Sequence, residues 1–341
     1  MRKRITLKHI ASNFNVSIAT VSKALKDCHD IGDSTKEKIQ QYAKLHKYQP
    51  NRVALSLLQR KTKTIGVVIP NIMNSFFTKV FVGIEEIATK RGYNLISCIS
   101  NESYEKECKT VEMLKNGTLD GFILSMSEET QIKQKYNHLQ TAIDDGVPVV
   151  LFDRVTDALE CDKVIVNDLE GAFEATTFLI RTGCKRIAVV SVIDNLSVGK
   201  LRVEGYKKAL RSHGRTIETK LIVTIGKHED FDTCMKLVLA DTTIDGLLCL
   251  EESSAVNSLV LLKAMQYKIP DEMSLICFTN GKLSNYTTPR ITTISQHGNH
   301  MGALAAKALI DRLEGVREQD SFSTKVVKTS LIQRETTRKL T

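Results

Sequence analysis

The pattern of hydrophobic and polar residues changes near residue 63. Before this point the apolar residues recur at the spacing of short amphipathic helices, as in Leu7, Ile10, Ala11 and Phe14 at positions i, i+3, i+4 and i+7. After it, apolar runs of about five residues alternate with longer amphipathic stretches. The pattern predicts a small helical module followed by a much larger α/β region.

Three short helices are predicted in the module, over about residues 7–14, 18–26 and 35–45. Thr6 and Ser17 precede the first two helices, and their hydroxyl groups are suited to cap the helix N-termini. Two short helices joined by a tight turn, with a third beside them, are typical of a helix-turn-helix DNA-binding domain. A plain three-helix bundle with a solvated outer face fits the spacing equally well.

The second helix carries the residues that bear on this choice. Val21 points toward the core, which leaves Ile18, Ala19, Ser22 and Lys23 on the outer face near the N-terminal end. That is the face that a recognition helix lays in the major groove of DNA.

Between the two regions, Pro50 and Asn51 end the helical module and precede a helical stub over residues 52–58 and a basic linker over 59–63. A helix of this length is marginal in water, so we expect it to become ordered only against DNA or a partner. Its apolar residues are suited to pairing with a second copy in a dimer.

Nine apolar runs in the larger region predict buried strands. Strands that are apolar throughout and separated by helical segments are typical of βαβ crossovers and of parallel sheets buried on both faces. Because nine such units exceed one comfortable sheet, two similar α/β lobes are predicted. The runs cover residues 65–69, 95–97, 121–124, 147–152, 164–166, 186–190, 221–223, 246–250 and 274–278.

All of the excess positive charge lies in the module and linker. The chain has a net charge of +9, whereas residues 1–63 contain 14 Lys and Arg against 4 Asp and Glu, a net charge of +10. Residues 64–341 contain 34 against 35, a net charge of −1. A small basic module on a neutral body favours binding to nucleic acid phosphates, although charge alone would also suit a membrane surface.

Several function classes are disfavoured by absent motifs. The eight Cys residues are scattered without a C-x-x-C pair, so neither a disulfide framework nor a zinc site is predicted. The G-x-G-x-x-G, P-loop and G-x-S-x-G motifs are absent, and the H-x-x-H pair of His297 and His300 has no candidate ligands nearby. We therefore expect no enzymatic activity, catalytic residue, metal or cofactor. No apolar run approaches the roughly 20 residues of a membrane span, and no signal-peptide pattern is found, so we expect a cytoplasmic protein without membrane contact.

These residues resemble the LacI (lactose-repressor-like) family of bacterial regulators over essentially the whole chain. The most specific match is VSIATVSKAL at residues 16–25, which resembles the family's V-S-x-x-T-V-S-[R/K]-x-L recognition-helix signature. Further matches follow in the same order, with YQPN at 48–51, KTIGVVIP at 63–70, FDR at 152–154, R-x-x-G-Y at 202–206 and PRITT at 289–293.

The resemblance implies a sequence-specific transcriptional regulator, in most cases a repressor, that binds operator double-stranded DNA as a homodimer. Ile18 and Ala19 can only touch a thymine methyl group, which leaves Thr20 and Lys23 as polar readers of base edges. In the hinge, Leu57 matches a leucine that wedges between base steps in the minor groove, whereas Leu55 stands where the family commonly has Arg. The implied DNA contacts are Thr6, Ser17, Ile18, Ala19, Thr20, Ser22, Lys23, Asn51, Arg52, Ala54 and Leu57.

The implied fold is an N-terminal all-α helix-turn-helix headpiece over residues 1–50, a hinge over 51–63, and an effector-binding and dimerisation domain over 64–341. This last domain would be a periplasmic-binding-protein-like α/β clamshell of two parallel-sheet lobes. The N-terminal lobe would cover about 64–163 and 294–321, and the C-terminal lobe about 164–293 and 322–341.

The resemblance also places a small-molecule effector between the lobes. Aromatic rings beside an Arg and carboxylates suit a sugar or sugar derivative, and Arg202 is the strongest candidate because it lies in the matching R-x-x-G-Y motif. A loop salt bridge explains Asp153 and Arg154 equally well. The family commonly has Asn-Asp at 251–252 and Asp at 279, so the identity of the effector does not carry over. The implied effector residues are Phe76, Phe77, Asp153, Arg154, Arg202, Glu251 and Thr279.

The sequence also fits one alternative function. The larger region alone would suit a solute-binding protein of a transporter, without a DNA function. The basic headpiece and the missing signal-peptide pattern argue against it.

Overall fold

The computed structural model describes residues 5–48, 62–115, 118–318 and 321–340. It divides into two compact units, with the boundary between Thr62 and Lys63. The hinge expected over residues 51–63 lies outside the described residues, apart from Thr62 and Lys63.

The first unit is a three-helix module with a small apolar core. Its helices are α1 (Leu7–Phe14), α2 (Ile18–Leu25) and α3 (Asp33–Leu45). Ile10, Val21 and Ile39 contribute one fully buried side chain from each helix. α3 begins earlier than predicted because Gly32 takes the N-cap position, which leaves Ser34 inside the first turn.

The first lobe of the second unit contains one parallel sheet covered by helices on both faces. Its strands are β1 (Thr64–Ile69), β2 (Asn94–Ile99), β3 (Gly121–Leu124), β4 (Val149–Phe152), β5 (Asp162–Val166) and β11 (Thr324–Val327). They pair in the order β11-β5-β4-β3-β1-β2, and every pair is parallel. The helices are α4 (Ser75–Lys90), α5 (Tyr104–Lys115), α6 (Glu128–Lys133), α7 (Asn137–Asp144) and α13 (Gly298–Leu313).

The second lobe repeats this arrangement. Its strands are β6 (Ile187–Ser191), β7 (Ile222–Thr224), β8 (Gly246–Cys249), β9 (Ser274–Phe278), β10 (Thr292–Ser295) and β12 (Ser330–Ile332). They pair in the order β12-β10-β9-β8-β6-β7, parallel except for β12 against β10. The helices are α8 (Asp168–Arg181), α9 (Ser197–Ser212), α10 (Phe231–Leu239), α11 (Glu252–Ala264) and α12 (Leu283–Tyr286), with a 3-10 turn at Thr219–Leu221. In the described parts of both units, no helix is long and apolar enough to cross a membrane.

The lobe boundaries differ from those expected. Residues 164–166 and 324–327 were expected in the second lobe, but β5 and β11 pair side by side in the first sheet. Residues 294–295 were expected in the first lobe, but they end β10 in the second sheet. β5 and β11 belong to the first sheet, whereas β10 and β12 belong to the second. The chain therefore crosses between the lobes after β5, after β10 and after β11.

Two glycines allow α4 and α13 to pack very closely in the first lobe. A Cβ atom on Gly302 would lie 2.0 Å from the backbone oxygen of Val80, and one on Gly83 would lie 2.0 Å from that of Asn299. Side chains larger than hydrogen would force these helices apart. The close packing fixes the start of α13 beside the start of α4, at the border with the second lobe.

Candidate DNA-contacting face and interlobe site

The start of α2 is held by side-chain capping. The Ser17 hydroxyl accepts a hydrogen bond from the backbone N–H of Thr20 at 3.0 Å, and the two hydroxyl groups lie 2.8 Å apart. Thr6 caps α1 in a reciprocal pair with His9. These hydrogen bonds satisfy backbone donors that are otherwise unpaired at a helix start, so both helices begin at fixed positions.

The proposed base-reading residues lie on the outer face of α2. Ser17, Ile18, Ala19 and Lys23 are exposed, while Thr20 and Ser22 are half-buried. Ile18 is 48% exposed, although isoleucine is among the residues most often buried. An apolar side chain so placed is available for contact with a thymine methyl group.

Lys23 has an acidic neighbour that the sequence reading did not identify. Its ammonium group lies 2.9 Å from the carboxylate of Asp30, and both side chains are exposed. The ion pair raises the pKa of Lys23 and lowers that of Asp30. Any contact of Lys23 with DNA therefore has to compete with Asp30. The remaining proposed DNA contacts, Asn51, Arg52, Ala54 and Leu57, lie outside the described residues.

In the second unit, polar residues gather where the strands of the first lobe end. Asp153 follows β4 in the left-handed backbone region with φ of 58°, and it is buried. Among the described residues, its Oδ1 atom has no hydrogen-bond partner. The Oγ atoms of Ser100, after β2, and Ser125, after β3, are buried and unpartnered in the same way. Unpaired buried polar atoms at strand ends are the groups that a polar ligand would satisfy.

Burial and, to a lesser degree, the nearby carboxylate of Asp168 together raise the pKa of Asp153 to about 6. The cations Arg154 and Arg202 oppose this rise. Asp153 belongs to the first lobe, whereas Asp168 and Arg202 belong to α8 and α9 of the second. The charges of the two lobes therefore act on one another across their border.

Arg154 is held mainly by a residue that the sequence reading missed. It donates two hydrogen bonds to the carboxylate of Glu102, at 2.6 and 3.0 Å, and one to the backbone oxygen of Met126 at 3.2 Å. Its guanidinium carbon lies 5.5 Å from the ring centre of Phe77. The loop salt bridge considered for Arg154 is thus present.

Arg202 forms a buried ion pair within the second lobe. Its Nε donates to Asp168 at 2.7 Å, its Nη1 donates to the backbone oxygen of Leu250 at 2.7 Å, and its guanidinium lies 4.0 Å from the ring centre of Phe278. Burial raises the pKa of Asp168, while Arg202 lowers it. Arg202 therefore holds α8 and α9 to the sheet, whatever else it binds.

Glu102, Ser125 and Asp168 each come directly after a strand or within three residues of its end. In open α/β sheets ligands bind at the carboxyl ends of parallel strands, and this rule could have found all three residues.

A cavity of about 320 Å³ lies between the lobes, lined by ten residues from the starts of α4 and α13 and the ends of β9 and β10. Phe76 and Thr279 line it, and the Thr279 hydroxyl donates to Gln296 Oε1 at 2.9 Å. Phe77 instead packs in the core against Phe152.

The structure does not bring Glu251 to this cavity. Its carboxylate caps α11, accepting hydrogen bonds from the backbone N–H groups of Ser253 and Ser254. The neighbouring Glu252 instead links the lobes, since it accepts a hydrogen bond from the Ser75 hydroxyl at 2.8 Å. A second link joins Gln131 of the first lobe to Ser197 of the second, through side-chain and backbone hydrogen bonds at 3.0 and 3.3 Å.

Both units match families of known proteins. Residues 6–51 match the family described as bacterial regulatory proteins, lacI family, and residues 176–337 match the periplasmic binding protein-like domain. The chain is 30% identical over 336 residues to the HTH-type transcriptional regulator RegA of Clostridium saccharobutylicum, covering 97% of this chain and 99% of that protein.

Two solved structures show the same fold. The lac repressor dimer bound to operator and the anti-inducer ONPF superposes with a TM-score of 0.84 at 20% identity, covering 99% of this chain and 100% of that one. A periplasmic binding protein/LacI transcriptional regulator from Alkaliphilus metalliredigens, complexed with D-xylulofuranose, superposes with a TM-score of 0.69 at 26% identity, covering 81% and 100%. With its helix-turn-helix module and two-lobed α/β body, this chain belongs to the lacI family of bacterial regulatory proteins and is a DNA-binding transcription regulator, not an enzyme.

Proposed function

We propose that this protein represses transcription by binding an operator through α2, and that a small polar metabolite bound between the two lobes controls this binding. The observation that carries the DNA part is the exposed outer face of α2, in a unit that together with the linker holds a net charge of +10. Cationic modules gain affinity by releasing counterions from DNA, and an exposed helix face supplies the base contacts.

The DNA contacts divide into two groups. Ile18, Ala19, Thr20 and Lys23 would read base edges in the major groove, whereas Thr6, Ser17 and Ser22 would contact or position the backbone. The hinge joins the headpiece of residues 1–50 to the domain of residues 64–341. Its residues would enter the minor groove of the DNA, namely Asn51, Arg52, Ala54 and Leu57.

The proposed effector is a sugar or sugar derivative. Unpartnered oxygens of Ser125 and Asp153 offer acceptors for hydroxyl groups, and Phe76 offers an apolar face at the cavity between the lobes. The related regulator from Alkaliphilus metalliredigens binds a sugar, D-xylulofuranose. Of the other residues named from the sequence, Arg154 and Arg202 have carboxylate partners of their own, so their role would be to fix the charge around Asp153.

We further propose that the protein acts as a homodimer in the cytoplasm, where its DNA lies. The related lac repressor is a dimer on its operator. Large apolar side chains are exposed on the second unit, including Met73, Val82, Met113, Leu283 and Tyr286. Burying such residues between two copies would stabilise a dimer and present two α2 helices to two half-sites.

Selection from random-sequence DNA with the full chain tests this proposal. We expect one sequence with two related half-sites to be enriched, and its binding to weaken steeply between about 50 and 200 mM salt, because each phosphate contact adds about 0.9 to the slope of log K against log salt. A fragment of residues 64–341 serves as the control and should not bind. A solute-binding protein would enrich no sequence, and a fragment that bound DNA as tightly as the full chain would contradict the assignment to α2.

A further inference from the structure

We propose that the effector carries a negatively charged group, a phosphate ester or a carboxylate, and that this group binds in the cavity at the start of α13. The inference rests on the proposed function, because it specifies the chemistry of the effector held between the same two lobes.

The side chains around the cavity are cationic or neutral. Lys79, His297 and His300 are among the ten lining residues of the described chain, and none of the ten is Asp or Glu. Neutral sugars are commonly held through carboxylates, which accept hydrogen bonds from hydroxyl groups. A lining rich in donors and lacking carboxylates is suited to a ligand that is itself an acceptor.

Lys79 is a half-buried cation without an ion-pair partner among the described residues. Its ammonium group donates to the neutral backbone oxygen of Asn280, across the border between the lobes. Burial lowers its pKa, the Glu252 carboxylate raises it, and the cations Arg334 and Lys282 lower it further. The Glu252 carboxylate already accepts hydrogen bonds from Ser75 and Ser284. An anion beside Lys79 would offset the cost of keeping this charge away from water.

Backbone donors point to the same place. α13 is a helix of 16 residues, and its N-cap residue, His297, makes no side-chain capping hydrogen bond. The first backbone N–H groups of a helix have no acceptor within it, and they carry the positive end of the helix dipole. Those of Gly298, Asn299 and His300 belong to residues that line the cavity. This is the arrangement by which helix N-termini bind phosphate and carboxylate groups.

A buried amide supplies an independent indication. Gln296 lines the cavity and is 4% exposed. Its Oε1 accepts a hydrogen bond from Thr279, and its Nε2 group makes no hydrogen bond to the described residues. An amide donor of a buried residue that faces a cavity is available to a ligand acceptor, and an anionic oxygen is the strongest one.

The position of the cavity gives the charged group a role. Lys79 and the start of α13 belong to the first lobe, while Thr279 and Asn280 follow β9 of the second. An anion held by donors of both lobes would favour the arrangement in which they are close. The charged end of the effector would thus contribute to the conformational control of the proposed operator binding.

Matched ligands test this inference with the full-length protein. Glucose, glucose 6-phosphate, glucuronate, ribose, ribose 5-phosphate and inorganic phosphate are added at constant ionic strength, and the thermal midpoint and affinity are measured. We expect phosphate and at least one anionic sugar to raise the midpoint more than the matched neutral sugar. Comparison of glucose 6-phosphate with glucuronate distinguishes a phosphate from a carboxylate ligand.

The variant Lys79→Gln should weaken binding of the anionic ligands by about 10-fold, since it removes a charged donor. Lys90→Gln is the matched control, because Lys90 lies exposed on the same helix and should leave binding unchanged. Equal stabilisation by neutral and anionic partners, equal binding by wild type and Lys79→Gln, or no response to any anion would each overturn the inference.

Operator binding, measured in the same samples, separates this inference from the proposed function. If a neutral sugar alone alters operator binding, and Lys79→Gln does not change that effect, effector control stands and the anionic effector is wrong. If anions bind through Lys79 but no ligand alters operator binding, the cavity is an anion site and the proposed effector control fails.

Discussion

Replacing Asp153 with Asn should make the protein more stable at neutral pH. The Asp153 carboxyl is buried, its pKa is raised from 3.8 to about 6, and its Oδ1 atom has no partner among the described residues. At neutral pH the folded protein therefore holds a buried charge that the unfolded chain exposes to water. Asn has nearly the same shape and carries no charge.

The size of the effect follows from proton linkage. The interval from 3.8 to about 6, at about 1.4 kcal/mol per pH unit, amounts to about 3 kcal/mol. Because the folded pKa is the higher one, the favourable contribution of the protonated group is fully present below pH 3.8 and is lost as the pH rises through 6. Asp153→Asn should thus gain up to about 3 kcal/mol of unfolding free energy above pH 7, less the cost of an unpaired buried amide.

Scanning calorimetry across pH 4 to 8 is a suitable assay, because the chain contains no Trp for fluorescence and calorimetry can resolve the headpiece from the larger unit. Asp157→Asn is the control, since that side chain is fully exposed and should change the unfolding free energy by less than about 0.5 kcal/mol. A variant Asp153→Asn that is less stable than wild type above pH 7, together with a wild type whose stability does not respond to pH near 6, would refute the reasoning.

Three further predictions concern the other described contacts and the hinge. Lys23→Ala should reduce the preference for operator over random DNA in gel shifts. Asp30→Asn, which frees the Lys23 ammonium group, should strengthen binding to both DNAs. Equal losses of affinity for the two DNAs in Lys23→Ala would show that Lys23 reads no base. Arg202→Met should cost about 3–5 kcal/mol of unfolding free energy, because Asp168 is left buried without its partner. Adding Asp168→Leu should restore most of this loss. A cost below about 1 kcal/mol would contradict a structural ion pair. Leu57→Ala should reduce operator bending in a circular-permutation gel assay while leaving the unfolding of the larger unit unchanged, and unaltered bending would remove the wedge role.

Most strands could be predicted from the sequence because they are buried on both faces. β3 and β8 contain no polar side chain, and β9 is apolar after Ser274, which leaves a clear signal in the pattern. β11, with the sequence TKVV, is an edge strand in which only Val327 is buried, so it carries no comparable signal. The assignment of residues 324–327 to the wrong lobe follows from this, since only pairing with β5 shows where they belong.

The positions of several candidate site residues could be predicted from the sequence, but their ion-pair partners could not. Asp153 lies at the carboxyl end of a strand, and Thr6 and Ser17 cap helices, as short-range patterns indicated. The partners of Arg154 and Arg202 are Glu102 and Asp168, which lie far away along the chain. Ion pairs between distant residues depend on tertiary packing, and a single sequence contains no periodic signal for them.

The late return of the chain to the first lobe has a consequence for synthesis on the ribosome. The described core of the headpiece is formed by residues up to Tyr48, so it can assemble as soon as these residues have emerged. The first lobe cannot complete its core until α13 and β11 have emerged, because residues from Met301 to Val327 share one core cluster with α4 and the sheet. During most of translation the first lobe therefore exposes apolar surface that later residues will cover, and such surface is prone to aggregation.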